Sequence, residues 1–169
     1  ADAKAVAKSG ISCESCHGAS SEWLSIHNDY GGSSTKETET PEHKTKRLAD
    51  AEAAGWIHSG KKYDIASNCM NCHGLTHPGL NADTLAKMLA AGHPINPEFE
   101  FVKYSQGTVR HRFYPPDTTV NAEPMPAELA RMFVTGQASK LVSATQAMSK
   151  STDPTYQAAQ KKRLEDATA

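Results

Sequence analysis

The four cysteines of this chain occur in two copies of one short pattern. The first copy reads Cys13-Glu14-Ser15-Cys16-His17-Gly18, and the second reads Cys69-Met70-Asn71-Cys72-His73-Gly74. Cys-x-x-Cys-His is the attachment signature of c-type haem. Two thiols a helical turn apart each form a thioether with one vinyl group, and the following histidine binds the iron. The sequence therefore predicts two haem c groups, held by Cys13, Cys16, Cys69 and Cys72, with His17 and His73 as proximal iron ligands.

Three other chemistries also use paired cysteines. Zinc sites usually place two such pairs closer together and need no following histidine. Two disulfides are compatible with an exported protein. A thioredoxin-like redox pair requires a βαβ context, which this sequence lacks. Because a histidine follows both cysteine pairs, haem attachment is the favoured interpretation.

The group on the opposite face of each iron decides what such a centre does. A second histidine predicts a low-spin centre for electron transfer, whereas an empty position permits ligand binding and chemistry. His27 and His93 are the favoured distal ligands. His27 shares a helical face with Trp23, and Gly92 and Pro94 hold His93 in a defined direction. We expect His27 to bind the second iron, since the chain after His17 would have to double back to reach the first, and His93 to bind the first.

Two other residues are alternative distal ligands. His111 lies between Arg110 and Arg112, whose charges suit haem propionates or solvent. Met125 lies between two prolines before a helix, which is how small His/Met cytochromes often present their ligand; otherwise it packs beside the helix start. The remaining three histidines are expected to be mostly solvent-exposed: His43, His58 and His77.

Composition limits the classes of function. The chain has 169 residues, of which 38% are hydrophobic, so cofactors would supply much of its core. The net charge of −1 argues against nucleic-acid or anionic-membrane binding. No apolar run reaches transmembrane length. The start at Ala1-Asp2-Ala3-Lys4 looks like a mature terminus left by signal cleavage, and covalent haem attachment implies a periplasmic or otherwise exported protein.

The hydrophobic pattern predicts a mainly α protein. Residues 98–104 alternate and predict the one strand, and residues 31–40 read as a surface loop. We expect a single dihaem cytochrome c domain over residues 1–169, with helices and loops wrapped round the haems, a haem core over about 11–149 and a terminal helix in 150–169 that is mostly polar and prone to fray. The predicted helices cover 20–29, 41–54, 63–72, 83–91, 126–149 and Asp153 to about Asp166.

Several stretches match one family in combination. They are Trp23-Leu24-x-x-His27, Asp29-Tyr30-Gly31-Gly32, Pro41-x-His43, the Ala-Ser-Asn-Cys-x-x-Cys-His run at 66–73, Gly92-His93, Glu98-Phe99-Glu100-Phe101, Tyr104-Ser105-Gln106-Gly107 and Val109-Arg110-His111. Over about residues 11–113 the chain resembles exported multihaem cytochromes related to the tetrahaem cytochrome c of ammonia oxidisers. The resemblance implies a mostly helical fold, closely spaced haems and a distal histidine at His27, His93 or His111. Only two haem motifs occur here, so this chain would be a dihaem member, and His58 and His77 lie outside the matched pattern.

These observations favour a periplasmic electron carrier with two bis-histidine haems, serving other redox proteins, rather than an enzyme. The alternative is a haem enzyme or ligand-binding protein with one open iron. Such a site would act on nitric oxide, hydroxylamine, nitrite or peroxide, with Arg110, His111 and Arg112 as distal groups. A sensor or structural haem module is a third interpretation.

Overall fold

The computed structural model describes residues 12–106, 119 and 122–169. Within these ranges the chain is mainly helical and contains no strand, so the predicted fold class is confirmed at that level. None of the helices there is both long and apolar enough to cross a membrane. The helices are α1 (Cys13–His17), α2 (Pro41–Ala53), α3 (Lys62–His73), α4 (Ala82–Ala90), α5 (Phe101–Gln106), α6 (Pro126–Lys150) and α7 (Pro154–Thr168).

The chain divides into two compact units, Ala1–Ile65 and Ala66–Ala169. Each unit contains one Cys-x-x-Cys-His motif. The single domain predicted over residues 1–169 stays a prediction, because two compact units are compatible with one cooperative fold as well as with two.

In the first unit, the helix predicted over residues 20–29 is instead a series of turns. The amide of Leu24 bonds to Ser20, and the amides of Ile26 and His27 both bond to the carbonyl of Trp23. These bonds still place the Trp23 and His27 side chains together, as the four-residue spacing predicted. Trp23 is the buried anchor of this segment.

Helix α2 begins where the sequence predicts, because Pro41 suits a first helical position and Thr40 caps it. The Thr40 hydroxyl accepts a hydrogen bond from the His43 amide at 3.2 Å. Arg47 is buried on this helix and donates from Nε and Nη2 to the Glu39 carboxylate, at 2.7 and 2.6 Å. It also donates to the carbonyl of His27, which ties the turn segment to the helix.

The Glu39 carboxylate makes the first unit sensitive to acid. The hydrogen bonds from Arg47, and then that from His43, lower the pKa of Glu39 from 4.5 to about 2 against the opposing effect of burial. Between these two pH values only the unfolded chain takes up the proton. The stability that the carboxylate contributes is therefore complete above about pH 4.5 and is lost as the pH falls toward 2.

We expect Glu39→Gln to flatten this acid dependence and to destabilise the protein at neutral pH, because Arg47 would lose its charged partner. Urea unfolding followed by circular dichroism across the acid range measures both effects. The matched control is Glu42→Gln, at an exposed position three residues further on. Equal acid profiles for the Glu39 variant and the unchanged protein would contradict the assignment.

The second unit is built around α4, α6 and α7. Gly136 lies in the middle of α6, and a Cβ there would meet the Phe101 Cβ at 2.5 Å, so α5 packs directly on the backbone of α6. Met132 is buried on α6, whereas the neighbouring Phe133 is 45% exposed. The core cluster consists of Leu75, Leu85, Ala86, Ala147 and Tyr156, with Met88, Leu89 and Ile95 packed against it.

The strand predicted over residues 98–104 is also wrong, since Phe101–Gln106 forms helix α5. Phe99 and Phe101 produce the alternating pattern that suggested a strand. Both side chains are buried, but this segment pairs with no strand among the described residues. The Glu100 carboxylate accepts hydrogen bonds from the amides of Val102 and Lys103, both at 2.7 Å, and thereby caps the helix start.

Helix α7 begins as predicted at Asp153-Pro154, with the Asp153 carboxylate accepting from the Tyr156 amide at 2.7 Å. The helix is mostly polar, as predicted, yet three of its residues anchor it to the rest of its unit. Tyr156, Gln160 and Arg163 are almost fully buried although two of them are polar. The helix is held further by Lys140 of α6, whose buried ammonium pairs with Asp166 and donates to the Pro97 carbonyl.

Candidate haem attachment sites

The first motif forms helix α1, which places the thiols of Cys13 and Cys16 about one turn apart. All four cysteines lie in the described ranges, and none forms a disulfide. Cys13 and Cys72 are exposed, and Cys16 and Cys69 are partly so. Thiols with this spacing and access can react with the vinyl groups of a porphyrin.

His17 is held with one ring nitrogen ready to bind a metal. Its Nδ1 lies 2.7 Å from the carbonyl oxygen of Ile57 and donates a proton to it. This bond fixes the tautomer in which Nε2 carries a lone pair, the arrangement typical of a histidine that ligates a metal. Gly18 has φ +82° and would place a Cβ 2.6 Å from the Gly55 carbonyl, so the chain after His17 needs glycine.

The second motif lies at the end of helix α3, as predicted. The imidazole of His73 stacks on Phe99 with ring centroids 4.5 Å apart, and Tyr104 lies 5.4 Å from it. Burial lowers the pKa of His73, which favours the neutral ring that a metal can bind.

The two motifs share a feature that the sequence does not reveal. The carbonyl of His17 accepts a hydrogen bond from the amide of Ile57, and that of His73 accepts one from the amide of Asn96, both at 3.0 Å. In each motif a later segment is therefore fixed to the backbone of the proximal histidine. The segments after the motifs differ in sequence, yet each donates a backbone hydrogen bond to the carbonyl of the proximal histidine.

An aromatic cluster in the first unit joins Trp23, His27, Trp56 and His58. The ring of His27 lies 5.1 Å from Trp23 and 5.7 Å from Trp56, and Trp56 lies 5.0 Å from His58. The indole nitrogen of Trp23 is buried without a hydrogen-bond partner among the described residues. An unused indole donor beside aromatic rings fits a haem, whose propionates accept hydrogen bonds and whose ring is apolar.

Hydrogen bonds at Nδ1 divide the other histidines into two groups. In His27 and His93, Nδ1 lies 2.8 Å from the carbonyls of Leu24 and Pro94 respectively. Both rings therefore donate from Nδ1 and keep a lone pair on Nε2 for a metal. His43 has the same tautomer through Glu39, but its Nε2 packs against the backbone at Gly31.

His58 and His77 have the opposite arrangement. Their Nδ1 atoms accept hydrogen bonds from the amides of Gly60 and Gly79, each at 3.0 Å. The proton of the neutral ring is then on Nε2, which leaves that nitrogen without a lone pair. Both residues lie in a His-x-Gly sequence, and that pattern is the signal that could have separated them from the ligand candidates.

The other predicted ligands differ in what can be said of them. His93 follows Gly92, which has φ +94°, and is exposed. Met125 precedes α6 and is 73% exposed, so it does not pack as a gap filler. His111, with Arg110 and Arg112, lies outside the described residues. Binding of His27 to the second iron and of His93 to the first joins residues of different units and stays a prediction.

Among the described residues, no three histidine, cysteine or acidic side chains form a group that could hold a bare metal ion. The cysteine pairs and histidines are instead arranged as two separate attachment motifs. A scan against protein-family models and searches of curated proteins and of solved structures find no match to this chain.

Proposed function

We propose that this protein is an exported c-type cytochrome with two covalently attached haems, which carries single electrons between redox proteins. The observation that carries the proposal is the double Cys-x-x-Cys-His motif, supported by the hydrogen bond that orients the His17 ring. When bound, each haem supplies an iron that accepts one electron from a donor protein and passes it to an acceptor.

The residues of the two motifs would anchor the haems and bind the irons. Cys13 and Cys16 anchor the first haem, and Cys69 and Cys72 the second, with His17 and His73 on the irons. The bond from His17 Nδ1 to the Ile57 carbonyl orients the ring and strengthens it as a ligand. Trp23 and Trp56 pack together in the first unit and Phe99 stacks on His73 in the second, which would supply apolar surface for a porphyrin.

Distal histidines would complete the coordination of each iron. His27 and His93 support this role because each holds a lone pair on Nε2. With a second histidine ligand, each iron would keep no open position for a substrate. This arrangement favours a carrier over the haem enzyme with one open iron.

Carbon monoxide binding tests the proposal directly. The reduced holoprotein should show a low-spin absorbance spectrum that carbon monoxide leaves unchanged, since both axial positions are filled. Intact-mass measurement of the exported chain should show two attached haems. A spectral change with carbon monoxide would support the enzyme interpretation with an open iron, and a chain without attached haem would contradict the proposal.

A further inference from the structure

We propose that Arg163 is a fixed positive charge that raises the reduction potential of the second haem above the value its ligands alone would set. The inference rests on the proposed function, since it concerns the haem held by Cys69, Cys72 and His73. It assigns a tuning role to a residue on the last helix of the chain, far in sequence from either motif.

The Arg163 guanidinium lies directly behind the second motif. Its Nη2 is 3.1 Å from the Met70 sulfur, and Met70 is located between the two cysteines of the motif. Its Nη1 is 3.4 Å from the carbonyl of Gly74, the residue that follows His73. A Cβ on Gly74 would meet the guanidinium at 2.4 Å, so the glycine makes room for the charge.

The surroundings of Arg163 are uncharged. The guanidinium also donates to Gln160 Oε1 at 2.6 Å and to Ser143 Oγ at 2.8 Å, and both partners are neutral. No carboxylate among the described residues forms an ion pair with it. Its Nε is buried with no hydrogen-bond partner in the same part of the chain. The residue is fully buried, so little water screens the charge.

The guanidinium keeps its proton under physiological conditions. Burial lowers the pKa of Arg163 to about 10, which is still well above neutral pH. A buried cation without a counter-ion costs folding free energy. Neutral neighbours already hold this segment, because Gln160 donates to the Gly74 carbonyl at 2.9 Å and Tyr156 to the Leu75 carbonyl at 2.7 Å. Arg163 adds further hydrogen bonds to this segment, and it alone adds a charge.

The other two buried cations of the described chain are paired. Arg47 in the first unit bonds to the Glu39 carboxylate, and Lys140 bonds to Asp166. Their fields are largely cancelled by the partner, whereas that of Arg163 is not. A positive charge near a haem disfavours the ferric state, which carries one more positive charge than the ferrous state. The field of Arg163 therefore favours reduction of the second haem.

A spectroelectrochemical titration of the holoprotein tests the inference. Arg163→Met and Arg163→Gln remove the charge, and the Met variant should pack well because replacing a buried ion with an apolar residue is often tolerated. We expect one of the two one-electron steps to move to lower potential in both variants. Arg163→Lys keeps the charge and should restore most of the potential. The matched control is Lys162→Gln, which removes an exposed charge from the same helix.

Serine at Cys13 and Cys16 leaves only the second haem attached and identifies which step moves. The inference is overturned if neither step moves, if both move equally, or if Arg163→Lys shifts the potential as far as Arg163→Met. If both haem steps are reversible and neither is shifted, the role of Arg163 is refuted and the proposed function is not. A chain that carries no redox-active haem refutes the proposed function itself.

Discussion

Serine in place of both Cys69 and Cys72 is expected to leave the exported chain with one covalent haem instead of two. A serine hydroxyl does not form the thioether that holds the porphyrin. Cys69 is partly exposed and Cys72 is exposed at the end of α3, so the exchange itself disturbs little packing. Intact mass should fall by one haem, and the Soret absorbance per chain should fall by roughly half.

The corresponding double variant at Cys13 and Cys16 is the matched control. It should lose the other haem to the same extent, and the quadruple variant should carry none. A chain that keeps two haem masses after either double exchange would contradict the attachment scheme. A chain that folds but never carries haem would instead favour the zinc or disulfide interpretation of the cysteines.

Alanine at His27 or at His93 is expected to convert one haem from low spin to high spin. Each of these rings has a lone pair on Nε2, because its Nδ1 donates to a backbone carbonyl. Removal of the ring leaves the distal face of one iron open, so the variant should also bind carbon monoxide when reduced. Electron paramagnetic resonance and the absorbance band near the red end of the visible spectrum report the spin state.

His58→Ala and His77→Ala are the controls for this experiment. Both residues accept a glycine amide at Nδ1 and carry the proton on Nε2, so their loss should leave both haems low-spin. His58 also packs against Trp56 in the same cluster as His27, which makes it a control for the loss of an aromatic contact. Two low-spin haems in both the His27 and the His93 variants would rule these residues out and direct attention to His111 and Met125.

The sequence predicted most helices because their ends carry clear local signals. Pro41 after Thr40 and Pro154 after Asp153 mark two starts that the structure confirms. The segment over 98–104 was predicted wrongly because alternating aromatics also suit a short helix when a carboxylate caps its first amides, as Glu100 does. Local periodicity does not distinguish these outcomes over so few residues.

Helix α7 shows why the packing of the helices could not be predicted from the sequence. A polar helix is read as solvent-exposed, and Gln160 and Arg163 are polar. Both are buried because they bond to residues that are distant in the sequence. Gln160 bonds to Gly74, 86 positions earlier, and Arg163 bonds to Met70, 93 positions earlier. Such long-range pairs leave no periodic trace in the residues of either segment.

The sequence predicts the attachment cysteines and proximal histidines of the candidate site, and it does not choose among the distal candidates. The spacing of Cys13, Cys16 and His17 is itself the chemical signal, and the structure adds the bond that orients the ring. The tautomer of each remaining histidine depends on which backbone group meets Nδ1. That contact depends on the local turn, which the sequence pattern does not define.

The docking of α7 behind the second motif bears on the order of biosynthesis. The partner of His17 Nδ1 lies 40 positions further on, whereas Tyr156 reaches back 81 positions to Leu75. A chain that emerges amino end first completes the surroundings of His17 well before the last helix appears. Helix α7 is the last described helix to be made, so the contact of Tyr156 with the Leu75 carbonyl forms late.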